Sequence, residues 1–164
     1  MKKIKIDTGF DLFDSIDDLP DDEFQLMQKA VEARKKAYAP YSKFSVGAAV
    51  LLDNGETVTG SNQENAAYPS GLCAERVAVF YAGAKYPEAQ ILKIAISATA
   101  SSERTVLPIP PCGACRQSIM EYEFKQKLPI EIIFMGASGN VAKSASMANL
   151  LPLGFDNSYL LSDI

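Results

Sequence analysis

Three cysteines and one glutamate hold the reactive side chains of this chain in recognisable spacings. Cys73 stands two residues before Glu75, and Cys112 stands three before Cys115, directly after Pro110-Pro111. Histidine is absent from all 164 residues. That excludes a Ser-His-Asp triad, an HExxH zinc site and an imidazole base, so any proton transfer falls to Asp, Glu, Lys, Tyr or Cys. Each cysteine lies at the predicted start of a helix, where partial positive charge and unsatisfied N–H groups favour thiolate over thiol. Pro111 suits the first helical position because its missing N–H is no loss there. Cys112 and Cys115 then sit one turn apart on one face, able to grip a single ion. Cys73 and Glu75 make a different demand, because two positions turn a helix by about 200 degrees and point side chains apart. In a first turn the leading residue can lie outside helical φ/ψ and swing round, so that both groups converge.

Three thiolates and one water make the tetrahedral set of a catalytic zinc site with an open position, whereas structural sites use four protein ligands. This chain has no fourth cysteine and no histidine to close the set. Three thiolates leave about one negative charge on Zn2+, which blunts it as a Lewis acid. The two helix starts offset that charge, and Arg76 can do so too by donating to a ligand sulfur. Zinc then lowers the pKa of its water from about 15.7 toward roughly 7, and Glu75 is placed to shuttle protons. Taken singly these features are bland. A Cys-x-x-Cys also marks redox pairs, a first-turn glutamate usually caps, and most arginines are surface ion-pairers. The combination at two helix starts, with no spare cysteine, points to the metal.

The elements that must position these groups follow from the apolar pattern. Residues 1–20 form an acidic arm, loosely docked or flexible, and residues 21–164 form the domain. Asp21, Asp22 and Glu23 open a helix in which Phe24, Met27, Ala30, Val31, Arg34 and Tyr38 recur at helical spacing until Ala39-Pro40 stops it. An apolar strand over 44–53, Asn54-Gly55 and a second strand over 56–60 read as a hairpin. Then come a helix over 73–84, a strand over 91–99, a helix over 112–122, a strand over 130–135, a further strand and a last helix near 144–151. Strands alternating with helices predict an α/β fold: three α-β-α layers around a mixed central sheet of about five strands.

Composition narrows the partners. The chain is 48% apolar and 22% charged, as expected of a globular protein of one domain. Its net charge of −4 is carried entirely by residues 1–30, leaving the body balanced. No basic stripe interleaved with aromatics is present, which argues against nucleic acid as partner. No leader pattern and no apolar run of about 18 residues are found, which argues against a membrane and for a cytoplasmic protein. An odd cysteine count there favours thiols or metal ligands over disulfides.

Asn62-Gln63-Glu64-Asn65-Ala66, Cys73-Ala74-Glu75-Arg76 and Pro111-Cys112-Gly113-Ala114-Cys115-Arg116-Gln117 together resemble the small zinc-dependent cytidine deaminases. Ala39-Pro40-Tyr41-Ser42-Lys43-Phe44 and Leu150-Leu151-Pro152 extend the likeness over about 21–155. The resemblance implies hydrolysis of cytidine and deoxycytidine to the uridines and ammonia, in pyrimidine salvage. It implies Zn2+ on Cys73, Cys112 and Cys115, with zinc-bound hydroxide attacking C4 while Glu75 carries protons to ring N3 and the departing amine. It further implies a small-molecule nucleoside partner and a homotetramer. Asn62 and Glu64 match the sugar-hydroxyl holders, Phe44 an aromatic by the pyrimidine, and Ala74 a substrate contact. Phe155 matches a ring reaching a neighbouring subunit's site, the alternative being a core phenylalanine.

Two positions depart from the pattern: Ser61 stands where cysteine is frequent, and Pro110 where serine is common, leaving only a carbonyl for the substrate amine. The arm before Pro20 has no assigned counterpart in the family, which leaves it either to cover an intersubunit surface or to be disordered. Blasticidin-type deaminases share the zinc constellation without the Asn-x-Glu-Asn motif, so Asn62 and Glu64 favour a nucleoside. From another class, a structural zinc module or a thiol redox pair remains open.

Overall fold

The computed structural model describes residues 1–101 and 105–160. Six strands form one sheet: β1 (Asp11–Phe13), β2 (Phe44–Leu52), β3 (Thr57–Ser61), β4 (Ile91–Ala100), β5 (Glu131–Met135) and β6 (Val141–Ser144). Their spatial order is β1-β6-β5-β4-β2-β3. Only β4 and β5 run parallel, joined through a helix as parallel neighbours must be. The helices are α1 (Asp21–Arg34), α2 (Ala74–Lys85), α3 (Gly113–Gln126) and the short α4 (Met147–Leu150). Among the described residues, no helix is long and apolar enough to cross a membrane.

Both faces of the sheet are covered, which explains why β2 reads as a nearly unbroken apolar run. Ala48 and Val50 face one way and join Ala78, Val79, Ile119 and Met147 of α2, α3 and α4. Ala49 faces the other way and packs with Leu26, Met27 and Ala30 of α1. The layers are therefore α1, sheet, and α2 with α3 and α4, the predicted three-layer arrangement. Two glycines set how closely the helices approach. A Cβ on Gly60 of β3 would lie 2.6 Å from the Ala74 carbonyl oxygen, and one on Gly47 of β2 would strike the Ala30 carbonyl and the Arg34 backbone. The hairpin turn between β2 and β3 places Gly55 at φ 84°, a conformation that glycine alone adopts without strain.

Three expectations change. The sheet has six strands, because Asp11–Phe13 of the arm pairs antiparallel with Val141–Lys143 along the open edge of β6. Gly9 and the Asn149 side chain exchange hydrogen bonds, and Leu19 is buried against α1, so the end of the arm nearest the domain is docked. The first helix ends at Arg34, and Tyr38 leaves it to bridge Gln63. Its backbone donates to the Asn62 carbonyl and accepts from the Glu64 N–H, pairing that outcompetes one more helical turn before proline. The last helix begins only at Met147, since Ser144 completes β6.

Candidate active site

Two helix starts deliver the three sulfurs to one place. Cys73 is the N-cap of α2 with extended φ −70° and ψ 155°, and Cys112 is the N-cap of α3 with φ −66° and ψ 165°. The leading residue of Cys73-Ala74-Glu75 thus lies outside the helix, as convergence with Glu75 requires. Pro111 stands two residues further back than expected, before the N-cap rather than at the first helical position. Its carbonyl accepts a 2.8 Å bond from Arg116 Nε, while Arg116 Nη1 donates to the Leu150 carbonyl at 3.0 Å. That arginine clamps the proline turn against the end of α4.

The donor set fits zinc. All three Sγ atoms lie within 4.8 Å of one another, and Cys73 and Cys112 are 3.9 Å apart. Zn–S bonds of about 2.3 Å at tetrahedral angles separate sulfurs by roughly 3.8 Å. The cysteines are free rather than bridged. Arg76 Nη2 lies 4.0 Å from Cys73 Sγ, which places its charge on the sulfur side. The Cys73 thiol is pulled down to about 5 by its hydrogen bond with Cys115 and then by Arg76, against burial. The same bond drives Cys115 upward, so the pair shares a proton that a cation would displace.

Glu75 is 4% exposed. Burial raises its carboxyl above the ordinary range, and the neighbouring Cys73 charge adds to the rise. A carboxyl moved toward neutrality suits reversible proton transfer. It lies on a cavity of about 710 Å³ that also touches Cys73, Cys112 and Arg76, with Cys115 buried behind.

Asn62 and Glu64 line the same cavity from the extended segment after β3, with Phe44 at the start of β2. The Asn62 amide already bridges β2, accepting from Val46 N at 2.8 Å and donating to the Phe44 carbonyl at 2.9 Å. Its role is therefore partly structural, though an amide has one further N–H and lone pair to offer. The Glu64 carboxylate accepts from Tyr41 N at 2.9 Å, from Ser42 N at 3.2 Å, and from the Ser42 hydroxyl. The hydroxyl, with these N–H groups, holds Glu64 below its usual carboxylate range despite desolvation. Pro110 also lines the cavity, while Ser61 instead sends its hydroxyl to the Lys36 carbonyl.

Two expected residues lie apart. Ala74 packs its side chain in the core, leaving only backbone for a ligand. Phe155 is 54% exposed and stacks on Tyr159 at 5.6 Å, which rules out the core alternative within this chain. Its backbone is tied to Gln117 of α3. Sequence reasoning missed the apolar wall of Val46, Ile96, Ala98 and Ile109. Strand alternation carries part of that signal: Val46 pairs directly with Ala98, and Ala48 with Ile96, so these residues share a face. The pairing of β2 with β4 is what the sequence did not disclose.

Comparison with known proteins places the chain among deaminases. The family model for the cytidine and deoxycytidylate deaminase zinc-binding region matches residues 20–129. The chain is 38% identical to the cytidine deaminase of Halalkalibacterium halodurans over 135 residues, covering 82% of this chain and 94% of that protein. It is 40% identical to the Mycobacterium tuberculosis cytidine deaminase over 105 residues, 63% and 74% of the two chains. The crystal structure of cytidine deaminase from Burkholderia pseudomallei superposes with a TM-score of 0.69 at 40% identity, covering 80% of this chain and 97% of that one. The Mycobacterium tuberculosis structure gives 0.61 at 31% identity, covering 80% and 94%.

Proposed function

Because the chain belongs to the cytidine and deoxycytidylate deaminase family, we propose that its cavity carries out the family reaction with the residues named below. The protein is a zinc-dependent hydrolase that deaminates cytidine and deoxycytidine to the uridines with release of ammonia. The observation that carries this reading is three sulfurs gathered at two helix starts beside a buried carboxyl, all but Cys115 opening on one cavity.

Cys73, Cys112 and Cys115 would hold the zinc, which would supply Lewis acidity near neutral pH. Glu75 takes one proton from the attacking water and passes it to ring N3 as the water oxygen bonds to C4. It then takes the second proton to the 4-amino group, which leaves as ammonia, while N3 keeps the first proton in the product. Arg76 draws charge from Cys73. Phe44, with the Val46, Ile96 and Ala98 wall, suits the flat face of a pyrimidine. Asn62 and Glu64 bind the sugar hydroxyls, as an amide and an ionised carboxylate can. Ala74 contributes only backbone to substrate contact.

Phe155, exposed and braced by Gln117, reaches the neighbouring site in a homotetramer. The free thiols suit the cytoplasm. Residues 1–20 are an accessory arm to the catalytic domain, and the family match begins only at residue 20. A structural zinc module is disfavoured by the large cavity beside the cysteines and by a group of three ligating side chains, without a fourth, among the described residues. Ammonia release from cytidine, measured with zinc content, tests the proposal. Turnover that tracks zinc through chelation and reloading supports it; zinc-loaded protein without turnover overturns it.

A further inference from the structure

We propose that the Ser42 hydroxyl is a positioning group for sugar recognition, fixing the Glu64 carboxylate and the backbone of Phe44 through one oxygen atom. This rests on the reading of Glu64 as a sugar-hydroxyl acceptor. Ser42 lies in the turn between Ala39 and Phe44, where Lys43 N donates to the Ala39 carbonyl at 3.2 Å and Lys43 takes φ 55°. An ionised carboxylate only accepts and a backbone N–H only donates, which fixes the direction of the chain of bonds. Phe44 N–H donates to Ser42 Oγ at 3.0 Å, and Ser42 O–H donates to Glu64 Oε1. The other carboxylate oxygen, Oε2, is held by Tyr41 N and Ser42 N. Both oxygens of a half-buried glutamate are thereby pinned to a single turn, which removes the rotamer freedom that Glu otherwise keeps at a cavity mouth.

One hydroxyl thus couples the group that meets the sugar to the ring that meets the base. Ser42 is itself exposed, so replacing it leaves no buried orphan and little cost in stability. A purely structural serine would affect all substrates alike; a positioning serine acts mainly where a 2′- or 3′-hydroxyl is present for Glu64 to hold.

Steady-state kinetics of Ser42→Ala, Ser42→Thr and Glu64→Ala on cytidine and 2′,3′-dideoxycytidine test this. Ser42→Ala raises KM for cytidine about tenfold, the size of one lost bond to a charged group, with kcat within about twofold. Its kcat/KM penalty shrinks below about threefold on the dideoxy substrate and in the Glu64→Ala background, and Thr restores KM by keeping Oγ. Equal penalties on both substrates, a fall in kcat alone, or no rescue by Thr overturn the proposal. A Glu64→Ala effect without a Ser42→Ala effect overturns it alone. An unchanged KM in Glu64→Ala removes it together with the sugar assignment beneath it.

Discussion

Glu75 is buried two residues from a thiolate, and both features raise its carboxyl above the ordinary range. Replacing it with glutamine keeps the shape and removes the exchangeable proton. Glu75→Gln should retain zinc and lose deamination by roughly 10^2-fold or more, as loss of general acid-base catalysis implies. Parallel zinc analysis and ammonia release check it, and near-normal turnover would remove Glu75 from the reaction. Asn62 carries two duties, since its amide bridges Val46 N and the Phe44 carbonyl. Asn62→Ala should therefore raise KM and also cost about 1–3 kcal/mol of stability by leaving part-buried backbone groups unpaired. Thermal unfolding beside kinetics separates the two, and a pure KM effect would deny the structural duty.

At the level of elements, the start of α2 is set by how closely that helix packs on β3. Gly60 has no room for a Cβ beneath the Ala74 carbonyl and the Ala78 N–H. Since Ala74 immediately follows Cys73, any displacement of this turn moves a proposed zinc ligand. Gly60→Val should cost about 1–3 kcal/mol by overpacking, and it should lower zinc occupancy while the ligands themselves stay intact. Metal content after equilibration with zinc, alongside Tm, reads both; full occupancy would mean that α2 moves without its first residue. The arm adds a different element. Its strand pairs with the edge of β6, which covers backbone groups that would otherwise template association with another chain.

Across the whole molecule, the site and the main charge cluster lie apart on the sheet. Glu23 is 1% exposed and receives Lys93 at 2.8 Å and Lys143 at 2.6 Å, with Asp22 and Glu131 completing the cluster beneath the start of α1. Burial works to lower the Lys93 pKa, yet Glu23 and Asp22 outweigh it and raise the pKa above 10.5. A raised lysine pKa stabilises the fold fully below the unfolded value, and that contribution fades as pH climbs through the folded one. Thermal stability should therefore fall above about pH 10.5, and Lys93→Met should lose much of that alkaline slope. The variant should also cost about 3–5 kcal/mol at neutral pH by breaking a buried pair. An alkaline slope identical to the parent would show that Lys93 does not govern it. Chelation should abolish turnover while the circular dichroism of the fold persists. Two apolar clusters on opposite sheet faces hold the layers without the metal. Unfolding on chelation would instead assign the ion a structural role.

Much of this was local information. Zero histidines, the spacing of Cys73 with Glu75 and of Cys112 with Cys115, and a proline ahead of a helix are properties of short segments, and short-range sterics and dipoles act on them directly. They sufficed for the layered α/β class, and they singled out the three cysteines and the glutamate that the fold brings together. The edge strand from the arm, the apolar wall of Val46, Ile96 and Ala98, and the anchoring of Glu64 by the Tyr41-Ser42 turn were decided by tertiary structure. Each depends on which strands become neighbours, a choice set by the summed burial of both sheet faces rather than by any single stretch of chain.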